Sequence, residues 1–275
     1  MSPFRASAPI TQEWEHFDVQ RTDGMCTVTL NRPEKLNALT FDSYADLRDL
    51  IIELPHRGDT RVLVIQGEGD AFCSGGDVHE IIGPTLQMSA AEALEFTRMS
   101  GELIKSMGEC PIPSVVAVQG MAAGAGSVIA LAADFRVVST AARFAFLFTK
   151  VGLSGADMGS AYLLPRIVGL GHATRLLMLG DTIDAQEANR MGLCSYLVAP
   201  EELSGKVAEL ASRLARGPFH AYSETKALLT KELDMGLSGA IELEAMTQAL
   251  LMKTEDYQEF YDAFTGKRKP QWKGR

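Results

Sequence analysis

Two short glycine-rich segments carry the residues best placed to do chemistry. The first is Ala71-Phe72-Cys73-Ser74-Gly75-Gly76-Asp77. The second is Gln119-Gly120-Met121-Ala122-Ala123-Gly124-Ala125-Gly126-Ser127. Each follows an apolar run and opens a helical pattern, so each offers free backbone N–H groups where a helix dipole favours negative charge. Two such junctions facing one point would make an oxyanion hole for an enolate or a tetrahedral oxygen. Either one alone reads equally well as a tight turn with close helix packing. Having both in one chain, each after a buried strand, favours the functional reading.

Competing chemistries fit less well. Gly124-Ala125-Gly126 offers the start of a dinucleotide fingerprint, but the third glycine is missing and no acid lies between Phe135 and Ala156 to hold a ribose. Gly152-Leu153-Ser154-Gly155-Ala156 misses the last glycine of a hydrolase elbow. The histidines are scattered, and none has a serine and carboxylate context. The four cysteines (Cys26, Cys73, Cys110, Cys194) lack CxxC or metal-ligand spacing and read as reduced thiols of a cytoplasmic protein. No metal site is expected.

Charge narrows the partners further. The 275 residues hold 26 basic and 35 acidic side chains, a net −9, which disfavours nucleic acid. Five of the basic residues fall in Lys267–Arg275, leaving −14 on residues 1–266. A basic tail on an acidic body suits a small anionic ligand or simply a soluble end, and charge alone favours the second. No apolar run reaches the roughly 18 residues of a membrane span, and the N-terminal stretch has no apolar core of signal-peptide type.

The elements needed to position the junctions follow from pattern. Residues 17–30 alternate about Asp23-Gly24, a hairpin signal. A helix over 40–54 opens at Thr40. Val62–Gln66 and Val115–Val118 are apolar strands of the kind buried on both faces. Helices are expected near Asp77, over 89–108 with a Ser89/Glu92 capping box, and over 126–133. Phe135–Val138 reads as a strand, 144–160 as a loop, 160–178 as one helix, 184–192 as a short helix and Ser195–Val198 as a strand. Beyond 200 the pattern is helical: 201–216, 219–234, 236–252 and 255–265. This is an α/β chain with a C-terminal helical extension and no linker.

The junctions also carry a resemblance. Together with Asn31-Arg32-Pro33-Glu34-Lys35-Leu36-Asn37-Ala38-Leu39, Gly180–Ala188, Met191-Gly192-Leu193 and Ala263–Pro270, they resemble the crotonase (enoyl-CoA hydratase/isomerase) family from about residue 14 to 273. The resemblance implies a ββα spiral core over 1–200 and a C-terminal helical trimerisation or lid region over 201–275. It implies a homotrimer or homohexamer, and an acyl-CoA substrate that brings coenzyme A with it, so that no separate cofactor is expected. It puts the oxyanion donors on the N–H groups of Gly76 and Ala125. Ser74 falls on the adenine-side loop, Lys35 and Leu36 lie along the coenzyme, and Phe264 and Lys267 meet the coenzyme of a neighbouring subunit.

The chain departs from the hydratase pattern where proton handling is decided. The two hydratase glutamates fall on Val128 and Phe148, which would give an apolar lining. Asp157 matches a loop aspartate of relatives that move double bonds or process ring and dienoyl thioesters, in a loop here one residue longer. Its competing reading is a cap on the helix near 160, a role that stabilises by about 0.5–2 kcal/mol. Glu80 is the fallback base. The expectation is therefore an enolate-forming enzyme of the hydratase/isomerase type, with isomerase-like proton transfer by Asp157. The alternatives are a thioester hydrolase or a C–C lyase on the same scaffold, or a non-catalytic acyl-CoA binder.

Overall fold

The computed structural model describes residues 10–274. The notional hairpin forms: β1 (Asp18–Thr22) pairs antiparallel with β2 (Met25–Leu30) across Asp23 and Gly24, whose φ values of 51° and 78° match the strand twist. Thr40 caps α1 (Phe41–Arg57), which runs past the expected end and through Pro55. β3 (Val62–Gly67) leads through the first junction to a π-type turn (Val78–Ile82) and the single turn α2 (Gly83–Thr85). The Ser89/Glu92 capping box opens α3 (Ala90–Glu109) as expected.

The second junction follows β4 (Ser114–Val118) and holds a short strand of its own, β5 (Met121–Ala123), before α4 (Ala125–Ala132). β6 (Phe135–Ser139) comes next. The stretch expected to be a loop contains β7 (Arg143–Ala145) and a 3-10 helix (Leu147–Val151). The single helix expected over 160–178 is two, α5 (Ser160–Val168) and α6 (Leu170–Leu179). Gly169 separates them at φ 79° and ψ 156°, a conformation that side chains resist. β8 (Thr182–Asp184), α7 (Ala185–Arg190) and β9 (Tyr196–Val198) complete this part. Four helices follow: α8 (Leu203–Ala215), α9 (Phe219–Lys231), α10 (Leu237–Leu251) and α11 (Glu255–Thr265).

The strands form a six-stranded sheet in the order β1-β2-β3-β4-β6-β9, parallel except for the first pair, and a small sheet β5-β7-β8. Alternation along the central strands explains how both faces of the large sheet are covered. Leu63, Ile65, Val116, Val118 and Val138 face the main core. Val62, Val64, Val115, Ala117 and Val137 face α8, which supplies Leu203, Val207, Leu210 and Leu214. Among the described residues no helix is long and apolar enough to cross a membrane.

Candidate active site

The first junction is held between two neighbours by backbone hydrogen bonds. Cys73 pairs with Ala122 of β5, its carbonyl accepting from the Ala123 N–H at 2.9 Å. Gly76 pairs with Leu39: the Leu39 N–H donates to Gly75 O at 2.8 Å, and the Asp77 N–H donates to Leu39 O at 2.9 Å. Successive residues of extended chain point their N–H groups to opposite edges, so the Gly76 N–H turns away from Leu39. It makes no backbone hydrogen bond among the described residues.

The second junction meets the first on that edge. Gly124 precedes α4 with φ 51°, its N–H donating to Ala145 O at 2.9 Å, and Ala125 is the first helical residue. First-turn N–H groups have no partner within a helix. A side chain at Gly75 would lie 3.0 Å from Ala123 O and 3.3 Å from Ala125 N, so the two backbones are in contact. The buried Ser127 hydroxyl locks the arrangement, 2.7 Å from Ala122 O and 3.1 Å from Ala145 O. Two side-chain amides hold the preceding turn: Asn37 donates to Glu68 O and Ala71 O, and Gln119 to Gly67 O and Ala71 O.

Gly76 and Ala125 line one cleft of about 220 Å³, together with Ser74, Phe148 and Asp157. The rest of the wall is mostly apolar, including Ile81, Phe96, Leu147 and Met158. Among the described residues, Asp157 is the one carboxylate that lines it. Burial raises the Asp157 carboxyl above the ordinary aspartate value, and the hydrogen bond from the Met158 N–H partly opposes this. The side chain does not cap the next helix. Gly159 occupies the cap position of α5, and the Asp157 carboxylate accepts instead from the adjacent Met158 N–H at 2.8 Å.

Other expected residues stand elsewhere. Val128 does not line the cleft: α4 is enclosed from Ala125 to Leu131, only its first turn opens on the cavity, and Val128 is 0% exposed in the core. Glu80 points away and is held 2.6 Å from the Arg32 guanidinium. Lys35 and Leu36 are exposed beside the cleft wall, with the Ser74 N–H donating to Leu36 O at 3.0 Å. Phe264 and Lys267 are exposed at the end of α11 and outside this chain's cleft. Two basic residues of the tail pair with acids of α11, Arg268 with Glu259 and Lys273 with Glu255. Cys73, inside the junction, is pushed up to about 12 by burial, the Gly75 N–H opposing, and stays a thiol.

Pattern reading missed the contribution of α1 and α3. Tyr44 and Phe96 line the cleft from those helices, where both blend into an apolar stripe. The only signal was a phenol in a stripe of aliphatic residues. Among the described residues no cluster of three or more His, Cys, Asp or Glu could hold a metal ion.

Residues 20–275 match the family described as Enoyl-CoA hydratase/isomerase. A Rhodobacter capsulatus protein carrying an enoyl-CoA hydratase name is 36% identical over 260 residues, covering 92% of this chain and 96% of that one. The 1,2-epoxyphenylacetyl-CoA isomerase of Escherichia coli is 31% identical over 252 residues, covering 92% and 96%. A crystal structure from Streptomyces coelicolor A3(2), also under an enoyl-CoA hydratase name, superposes with a TM-score of 0.98 at 62% identity over 100% of both chains. The architecture is the crotonase-type fold, and the chain belongs to the enoyl-CoA hydratase/isomerase family.

Proposed function

We propose that this enzyme shifts a double bond in an acyl-CoA thioester, with the Gly76 and Ala125 N–H groups holding the thioester oxygen and Asp157 moving one proton. The observation that carries the reading is the make-up of the cleft: two backbone donors and one carboxylate in an otherwise largely apolar wall. A thioester acidifies its α-proton, and paired donors stabilise the enolate oxygen that results. The Asp157 carboxylate takes the proton from the α-carbon and returns it to the γ-carbon. The double bond moves, the carboxyl group ends as it began, and no atom is gained or lost. Such a step exchanges no electrons with a second molecule, so coenzyme A enters as part of the substrate and no separate cofactor is called for.

Hydration usually draws on two proton-handling groups. Here Phe148 is apolar, Val128 lies in the core and Glu80 is engaged by Arg32, which leaves one. Burial moves that one toward working pH, as suits a base that must return its proton. The Escherichia coli relative is likewise named as an isomerase of a coenzyme A thioester, there an epoxide-bearing one.

The reading extends to assembly. Tyr257, Phe260, Tyr261 and Phe264 form an exposed stripe at helical spacing on α11, and Leu237, Ile241 and Leu250 are exposed on α10. Apolar surface of this kind marks contact with another chain. We place a homotrimer or homohexamer there, with residues 201–275 supplying the contacts and Phe264 and Lys267 reaching a neighbour's coenzyme. Lys35, Leu36 and Ser74 would follow the coenzyme of their own subunit. Light scattering at micromolar concentration should give three or six times the chain mass, and a monomer would refute this.

The reaction is tested with 3-hexenoyl-CoA and crotonyl-CoA, following product by mass and absorbance. We expect 2-hexenoyl-CoA of unchanged mass from the first and no gain of water by the second. Hydration of crotonyl-CoA at a comparable rate, or release of free coenzyme A, would overturn the isomerase assignment.

A further inference from the structure

The cleft contains a hydroxyl that the proton transfer does not use. Tyr44 lines it from α1, on the same cavity as Asp157. The residue is 4% exposed, and its ring is fixed edge-on against Phe96, with centroids 5.9 Å apart at 78°. Other hydroxyls on this wall have given their protons away. Thr97 donates to Leu94 O at 3.2 Å, Ser100 to Thr97 O at 3.0 Å and Ser74 to Lys35 O at 3.4 Å. The Tyr44 hydroxyl makes no hydrogen bond to any described residue and is not sealed off from solvent, and Tyr44 is one of the residues that line the cavity.

This arrangement penalises one kind of ligand and favours another. In the empty cleft, water can satisfy the phenol. An apolar acyl chain reaching it would displace that water and leave a buried donor without a partner, which costs more than a hydrogen bond gains. A chain with an oxygen at that point would accept the proton. Burial foremost, with the neighbouring Cys73 and Asp157 adding, pushes the phenol well above its usual range, so it remains a neutral donor.

We infer that Tyr44 is a specificity-determining residue of this cleft: it donates its phenolic O–H to an oxygen carried by the acyl group, and the preferred thioester is oxygenated beyond its α-carbon. This rests on the acyl-CoA reading given above. A site built to hydrogen-bond an oxygen discriminates against analogues that lack it far more sharply than an apolar pocket discriminates by size.

The test uses binding, so that turnover does not confuse it. Hexanoyl-CoA and the 3-, 4- and 5-hydroxyhexanoyl-CoA isomers are titrated calorimetrically into the wild-type enzyme and into Tyr44→Phe, which keeps the ring and its Phe96 contact. We expect at least one hydroxylated isomer to bind the wild type about fivefold or more tightly than hexanoyl-CoA, as one net hydrogen bond gives. Tyr44→Phe should erase that preference, and hexanoyl-CoA should bind the variant at least as tightly as it binds the wild type, because no donor is then left unpaired. Three results would overturn the inference: no hydroxylated isomer preferred by the wild type, a preference that survives Tyr44→Phe, or equal loss of every ligand in the variant. Failure of all four thioesters to bind the wild type would remove the acyl-CoA reading itself, and Tyr44's role with it.

Discussion

The two sides of the cleft are built by opposite means. On one side, Gly76 and Ala125 contribute backbone N–H groups whose positions are set by the strand pairing of Cys73 with Ala122 and of Gly76 with Leu39. On the other, Tyr44 from α1, Phe148 from the 3-10 helix and Asp157 from the segment before α5 contribute side chains. The backbone side depends on packing with no room to spare: a Cβ on Gly126 would overlap the Cys73 carbonyl oxygen, and one on Gly120 the Asp70 carbonyl oxygen. The side-chain side depends on a few groups that can be exchanged without disturbing a strand. On the proposed reading, holding an oxygen and choosing where a proton goes are therefore physically separable.

Asp157→Asn should have the largest effect and cut the side-chain half away alone. Loss of a general base typically lowers kcat by about 10²–10⁴-fold. Acyl-CoA affinity measured by calorimetry should stay nearly unchanged, because the proposed oxygen donors are backbone groups. Full activity in this variant would remove Asp157 from the chemistry. Gly126→Ala is the matching attack on the backbone half. Overpacking there should destabilise the enzyme by about 1–3 kcal/mol in urea melts. Displacing the Ala125 donor should also lower kcat by up to about 10²–10³-fold. Unchanged melting and turnover would mean that the junctions do not depend on that close approach.

A pH series sharpens the comparison. Proton removal needs the carboxylate, so kcat/KM should fall as pH drops through the raised Asp157 value, higher than for an exposed aspartate. The folded chain binds this proton more tightly than the unfolded chain does. Stability from this group is therefore greatest at low pH and declines as pH rises from the ordinary aspartate value through the raised one. Asp157→Asn should lose that slope in urea melts run across the same range, whereas an identical slope would place the titrating group elsewhere. The smallest effect belongs to Glu80→Gln. Its pairing with Arg32 is half-exposed, worth about 0–1 kcal/mol, and turnover should not change. A loss of activity as deep as that of Asp157→Asn would move the base to the junction side.

Local chemistry settled much of this chain from its letters. The Asp23-Gly24 turn, the Thr40 and Ser89 caps, the buried strands β3 and β4 and the four helices after residue 200 are signalled by adjacent residues or by a period that runs for several turns. The two junctions were legible for the same reason, since glycine after an apolar strand and before a helix is a local statement. The three-residue strands β5, β7 and β8 were not, because three residues show no period and these pair with partners distant in the chain. Only the tertiary structure could decide that the two junctions touch, that Val128 faces the core while Phe148 faces the cleft, and that Asp157 is not the cap of α5. It also decided that Tyr44, one more residue of an apolar helical stripe in the sequence, lines the cavity with a hydroxyl that no described residue pairs. Which face of a helix meets an empty space depends on every element packed around it, and no short window of sequence contains that information.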